Sequence, residues 1–166
     1  MRHRALIFPL ILGLTVLAAT GWAATVNFKE LIPVLAAVKI NGWTAGVPTG
    51  QTITSPFEAS EASVEFTQGD KRLEVAILDG GPQMGAALAS IGQMALESTE
   101  ISIKPVQIQG CKGSMNISKT DNEADLLLSV GAKLVVSLHL SGSTDAEILK
   151  AAAGQLDLAK LATLSK

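Results

Sequence analysis

Residues 60–79, with the sequence SEASVEFTQGDKRLEVAILD, contain the clearest folding signal in the chain. Apolar residues occupy every second position from 62 to 66 and again from 73 to 77, and the segment Gln68-Gly69-Asp70 separates the two runs. Side chains along a β-strand point alternately to its two faces, so each run has one apolar face and one mainly polar face. The stretch therefore predicts an antiparallel hairpin that buries one face.

Four further stretches downstream have strand character. They lie at residues 102–109, 114–119, 124–130 and 133–141, and the last two predict a second hairpin around Gly131-Ala132. Both faces of that second hairpin carry leucine or valine, and a sheet that is apolar on both sides needs cover on both sides. The sequence thus predicts an α+β fold, with a curved antiparallel sheet of about six strands and helices packed on its faces.

Helices are predicted at three places. Asn27 is the predicted N-cap of the first helix, which Pro33 should kink or split. Residues 83–97 have apolar side chains at helical spacing and predict the second helix. A capping box at residues 144–147 predicts a C-terminal helix, with a final helical turn or two at 158–164.

The N-terminal residues 1–23 are predicted to be a cleaved secretory signal peptide. Residues 2–4 (Arg-His-Arg) form a basic start, residues 5–19 are apolar, and small residues precede a cleavage point after Ala23. The alternative is an uncleaved anchor, since the apolar stretch nearly reaches the roughly 20 residues of a spanning helix. Cleavage would leave a single α+β domain at residues 24–166 with no membrane span, located in the periplasm or outside the cell.

Composition narrows the classes of function. The 166 residues include 13 basic and 15 acidic side chains, so the net charge of −2 offers no basic excess for a nucleic acid. Apolar residues make up 48%, too many for a disordered chain, and the single cysteine excludes an intrachain disulfide framework. There is no tyrosine, and one histidine is left after signal cleavage. This scarcity of reactive side chains argues against an enzyme, and no cofactor or metal site is predicted.

Four residues are the candidates for ligand binding: Trp43, Asp79, Cys111 and His139. Trp43 could line a pocket, and Asp79 begins a glycine-rich segment that lacks the Lys-Ser/Thr of a phosphate-binding loop. Lys112 next to Cys111 is expected to lower the pKa of the thiol. His139 lies on a strand face between serines.

Two alternative functions use these residues. Cys111 and His139 could form an exported thiol enzyme or hydrolase, although no nucleophile-elbow motif is present. Met115, Cys111 and His139 could form a soft periplasmic copper site. The favoured interpretation is a non-enzymatic binding or assembly module of the cell envelope, with a partner protein or an apolar small molecule as ligand. The oligomeric state stays open.

The chain also resembles a group of small secreted bacterial proteins of unknown function. The matching features are Gly42-Trp43, the strand GDKRLEVAILD at residues 69–79, and the turn at residues 110–113, and the resemblance runs from about residue 28 to 164. That group has no assigned activity. The order of hairpin, helix, meander and C-terminal helix is also similar to the PsbP-like α/β/α sandwich, and this similarity implies a binding or assembly role.

Overall fold

The computed structural model describes residues 25–54, 58–81 and 94–166 of the chain. The predicted signal peptide at 1–23 lies outside these ranges. The strands are β1 (Thr44–Ala45), β2 (Thr49–Ile53), β3 (Ala59–Gln68), β4 (Lys71–Asp79), β5 (Leu96–Glu97), β6 (Ile101–Ile108), β7 (Cys111–Ser118), β8 (Glu123–Val130) and β9 (Leu134–Ser141). The described helices are α1 (Phe28–Ala36), α2 (Ala146–Gln155) and α3 (Leu158–Leu164).

All nine strands belong to one antiparallel sheet. Their spatial order is β1-β3-β4-β9-β8-β7-β6-β5, and β2 also pairs with β3. The predicted hairpin at 60–79 forms as β3 and β4, with Val64 opposite Val75 and a turn at Gly69, whose φ is +58°. The strand β9 pairs with β4 on one side and with β8 on the other, so it joins the first hairpin to the C-terminal meander.

The sheet has two faces of different character. Paired residues of neighbouring strands point to the same face, and the apolar alternation brings Phe66, Leu73 and Leu140 into one transverse line. We call this side the core face, because its residues form one buried cluster with Leu31 of α1 and Leu149 of α2. The opposite side is called the outer face. Val135 and Ala76 on it are buried but lie outside that cluster.

The three described helices pack through apolar side chains on the core face. Asn27 caps α1 as predicted, since its side chain accepts a hydrogen bond from the backbone N–H of Lys29. Of the two outcomes predicted at Pro33, a split does not occur, since the helix continues through this residue as one element. The N-cap of α2 is Asp145, one residue later than the start of the predicted capping box. Within the described ranges, no helix has both the length and the apolar character needed to cross a membrane.

The predicted fold of six strands with helices on both faces is wrong. The six predicted strands correspond to β3, β4 and β6 to β9, but β1, β2 and β5 extend the sheet to nine. These added strands are short and largely exposed, and they lack the buried apolar alternation of the six longer ones. In the described part of the chain, the helices cover the core face alone. Of the helix predicted at 83–97, residues 83–93 lie outside the described ranges, and Leu96–Glu97 is the strand β5.

Candidate functional site

The four predicted ligand-binding residues are scattered over the molecule. Trp43 precedes β1 at one margin of the sheet and packs partly buried against the core cluster. Asp79 ends β4 and Cys111 begins β7, and both point to the core face on strands that are separated by β9 and β8. His139 points from the middle of β9 to the outer face. The structure therefore brings no two of these residues together.

Asp79 is a structural anchor at the end of β4. Its side chain is fully buried, and its two oxygens accept hydrogen bonds from the backbone N–H of Val26 at 2.8 Å and of Gly81 at 3.0 Å. The ammonium of Lys133, itself 3% exposed, lies 3.5 Å from the same carboxylate. A buried charge needs such partners because water cannot solvate it. The pair fixes the segment ahead of α1 to the sheet.

Cys111 does not have the environment of a reactive thiol. Burial raises the pKa of its thiol above the ordinary value. The expectation that Lys112 lowers this pKa is wrong, because adjacent residues of a strand point to opposite faces and Lys112 is exposed on the outer face. Cys111 contacts the core cluster instead.

His139 forms a short polar chain across three strands. Its Nδ1 lies 2.7 Å from Oδ1 of Asp125 on β8, and the side-chain amide of Asn116 on β7 donates to the other oxygen of Asp125 at 3.5 Å. Both members of the His139–Asp125 pair keep about 40% of their side chains exposed, at 41% and 38%. The Oδ1 atom of Asn116 is buried and accepts no hydrogen bond from a described residue. The pair orients the imidazole and leaves its far edge toward solvent.

These side chains belong to a longer line on the outer face, which we call the transverse row. Seven consecutive cross-strand partners make it up, one from each of seven strands. In spatial order they are Glu65, Glu74, His139, Asp125, Asn116, Ile103 and Leu96. With strands about 4.8 Å apart, the row is about 29 Å long. It is acidic at the β3 end and apolar at the β5 end.

The apolar end of the row lies on a firmly held edge. Leu96 is 49% exposed, and Ile101 on the same face is 36% exposed. The carboxylate of Glu97 accepts a 2.6 Å hydrogen bond from the buried Ser102 hydroxyl and forms ion pairs with Lys119 and Lys104. The Ser102 and Lys119 hydrogen bonds are the main reasons why the pKa of Glu97 is lowered to about 2. These contacts fasten β5 to β6.

Two surface cavities lie along the β2–β3 hairpin. One has a volume of about 190 Å³ and is lined by residues that include Ile53, Leu78 and Asp79. The other has a volume of about 300 Å³ and is lined by polar residues that include Gln51 and Glu61. Pockets for drug-sized ligands occupy roughly 300–1,000 Å³, so these cavities lie at or below the lower limit.

This arrangement does not support either alternative function, the thiol enzyme or hydrolase on the one hand and the copper site on the other. No described serine or cysteine is hydrogen-bonded to the His139 imidazole, whose hydrogen-bond partner is Asp125. Cys111 and Met115 point to the core face, away from His139, so these three residues cannot share one metal ion. Across residues 25–54, 58–81 and 94–166, no three histidine, cysteine or acidic side chains are placed to hold a metal.

Sequence reasoning missed Asp125, the partner of His139. A signal was present, because matching Leu126 with Leu138 fixes the register of the second hairpin and places Asp125 opposite His139. The turn that joins β8 to β9 has three residues, 131–133. A two-residue turn at Gly131-Ala132 would instead have shifted the register by one residue. The Lys133–Asp79 pair had no such signal, because it depends on β4 lying next to β9.

Comparisons with known proteins leave the function open. No family model matches the chain, and no curated protein matches it. A solved structure of an uncharacterised protein from Mycobacterium smegmatis is similar to it at 10% sequence identity and a TM-score of 0.43, covering 81% of this chain and 98% of that chain. A likeness at this level says nothing about what the protein does.

Proposed function

We propose that this protein is an exported, non-enzymatic binding module of the cell envelope, and that it contacts a partner protein through the outer face of its sheet. The observation that carries the proposal is the transverse row. It places side chains of seven strands in line on the outer face, and each of these seven side chains is exposed or half-buried.

The exposure of the row supports a surface role. Glu65 and Glu74 are exposed, and the His139–Asp125 pair is about 40% exposed although it lies on two interior strands of the sheet. Ordered polar groups held by a rigid sheet are suited to recognition, because little entropy is lost when a partner binds them.

A partner protein is favoured over an apolar small molecule by the shape of the molecule. The larger cavity, at about 300 Å³, has a polar lining, and the more apolar one is smaller, at about 190 Å³. The core face is filled by the side chains of the helices and strands. The transverse row, with exposed or half-buried polar and apolar side chains, is better suited to contact with a protein surface than to a buried ligand.

Export is tested with the full-length chain produced in a bacterial host. Fractionation and N-terminal sequencing should find a mature form that begins at Ala24 in the periplasm or the medium. A full-length form retained in the membrane fraction would favour the anchor alternative, and a full-length form in the cytoplasm would contradict export.

Binding is tested by photocrosslinking in the same cells. A photoreactive amino acid at the exposed Glu74 position on the outer face should give discrete crosslinked products with a partner protein. The matched control carries the same amino acid at Lys160, which is exposed on α3. Equal products from both positions, or none from either, would contradict the proposal. Turnover of an ester, peptide or phosphate substrate that is lost in His139→Ala would instead favour the hydrolase alternative.

A further inference from the structure

We propose that the transverse row docks a basic, amphipathic segment of the partner protein, an inference that rests on the proposed binding function. Lysine or arginine side chains of that segment would contact the carboxylates of Glu65, Glu74 and Asp125. An apolar side chain at its other end would cover Leu96, Ile101 and Ile103.

The excess of negative charge on the outer face favours a basic partner. Five carboxylates and two permanently positive side chains point to this face from the strands, together with His139. The carboxylates are Glu61, Glu65, Glu74, Glu123 and Asp125, and the positive side chains are Arg72 and Lys112. An excess of negative charge attracts a cationic segment and repels the anionic lipid surface of a bacterial membrane.

The centre of that charge is a pair of like charges placed side by side. Glu65 and Glu74 are direct cross-strand partners, and directly opposed like charges destabilise a sheet. Neither carboxylate takes part in an ion pair with another described residue. Local conflicts of this kind are typical of functional surfaces, and a bound cationic group would relieve this one.

The spacing of the row defines the length of the segment. Ile103 on β6 and Glu74 on β4 are four strand spacings apart, or about 19 Å. A helix rises 1.5 Å per residue, so about 13 helical residues span this distance. The partner segment should therefore have leucine-like residues near one end and basic residues near the other.

The experiment measures binding of a fluorescent 13-residue peptide to the mature protein by anisotropy. This peptide, which we call the block peptide, carries leucines in one half and lysines in the other. An oligo-lysine peptide and a scrambled peptide serve as comparison probes. We expect the block peptide to bind more tightly than either comparison probe. The variant E65Q/E74Q should weaken binding on the order of tenfold, because it removes two exposed ion pairs.

The matched control removes the same charge from the helices of the opposite side. In E30Q/E147Q both substituted residues are exposed, one on α1 and one on α2, and the affinity should stay unchanged. A second variant, L96S/I101S, should weaken the block peptide but leave oligo-lysine binding unchanged. Circular dichroism melts of all variants show whether they remain folded, and the exposure of every substituted side chain favours this.

Four results would overturn the inference. The block peptide could fail to bind, or E30Q/E147Q could weaken it as much as E65Q/E74Q does. The protein could bind vesicles of anionic phospholipid, and that would make a membrane the ligand. Finally, E65Q/E74Q could change the sedimentation of the protein alone, and the occupant would then be a second copy of the chain. If crosslinks from position 74 still form in cells after any of these results, the proposed binding function stands and only the chemistry of the partner is wrong.

Discussion

Replacing Asp79 by alanine should destabilise the protein far more than replacing an exposed aspartate. The substitution removes the carboxylate that Lys133 approaches to 3.5 Å and so breaks this buried ion pair from one side. It also removes the acceptor of the Val26 and Gly81 backbone N–H groups. Breaking a buried ion pair from one side costs about 3–5 kcal/mol.

That loss is a large part of the stability of a domain of this size. Native proteins unfold with about 5–15 kcal/mol, and each kcal/mol corresponds to roughly 2–4 °C of Tm at about 150 residues. We therefore expect Asp79→Ala to lower the Tm by roughly 6–20 °C. Thermal unfolding followed by circular dichroism measures the Tm, and urea unfolding should show a lower midpoint with an unchanged slope m.

The control is Asp145→Ala, which removes an exposed N-cap that accepts a hydrogen bond from Glu147 and should cost about 1 kcal/mol. Hydrogen exchange adds a local readout, because the Val26 amide should exchange faster in the Asp79 variant. If Asp79→Ala costs no more than Asp145→Ala, the buried anchor does not hold the N-terminal segment and the reasoning fails.

Three further predictions concern the sheet. The pKa of Glu97 is lowered from 4.5 to about 2, so its ionised form stabilises the fold above about pH 4.5 and this contribution is lost as the pH falls toward 2. The difference in urea stability between the wild type and Glu97→Gln should therefore shrink over that window. A constant difference would contradict this prediction. Pro105→Val restores a backbone donor on the exposed part of β6 beyond β5, so sedimentation should show self-association that the wild type does not show at equal concentration. Gly113→Ala would place a Cβ against the Leu127 carbonyl and should lower the free energy of unfolding in urea by about 1–3 kcal/mol. Gly154 has open space around it inside a helix, so Gly154→Ala should raise the free energy of unfolding by up to about 1 kcal/mol.

Much of the sheet could be predicted from the sequence because its long strands bury one face. The alternation at 62–66 and 73–77 defined β3 and β4, and the leucine pattern at 124–141 defined β8 and β9. The strand β5 could not be predicted, since its two exposed residues are held by the Glu97 contacts and not by burial. Residues held by such contacts carry no periodic signal.

The candidate site was less accessible to sequence reasoning. The residue His139 was identified, but its place in the transverse row depends on β4 lying beside β9, two strands separated by 54 residues of sequence between Asp79 and Leu134. Strand order of this kind is set by the packing of the whole core. The sequence pattern likewise indicated Asp79 without showing that its partner would be a buried lysine.

The position of β9 has a consequence for how the chain reaches its native state. Its pairing with β4 joins residues 55 to 69 positions apart, as in Asp79 with Leu134 and Arg72 with Ser141. Until residue 141 has been synthesised, the β4 edge of the first hairpin lacks its partner strand β9. The other strand pairs join segments that are close in sequence, so this distant pairing is the step that slows folding. Slow folding is compatible with the proposed export, which requires the chain while it is still unfolded.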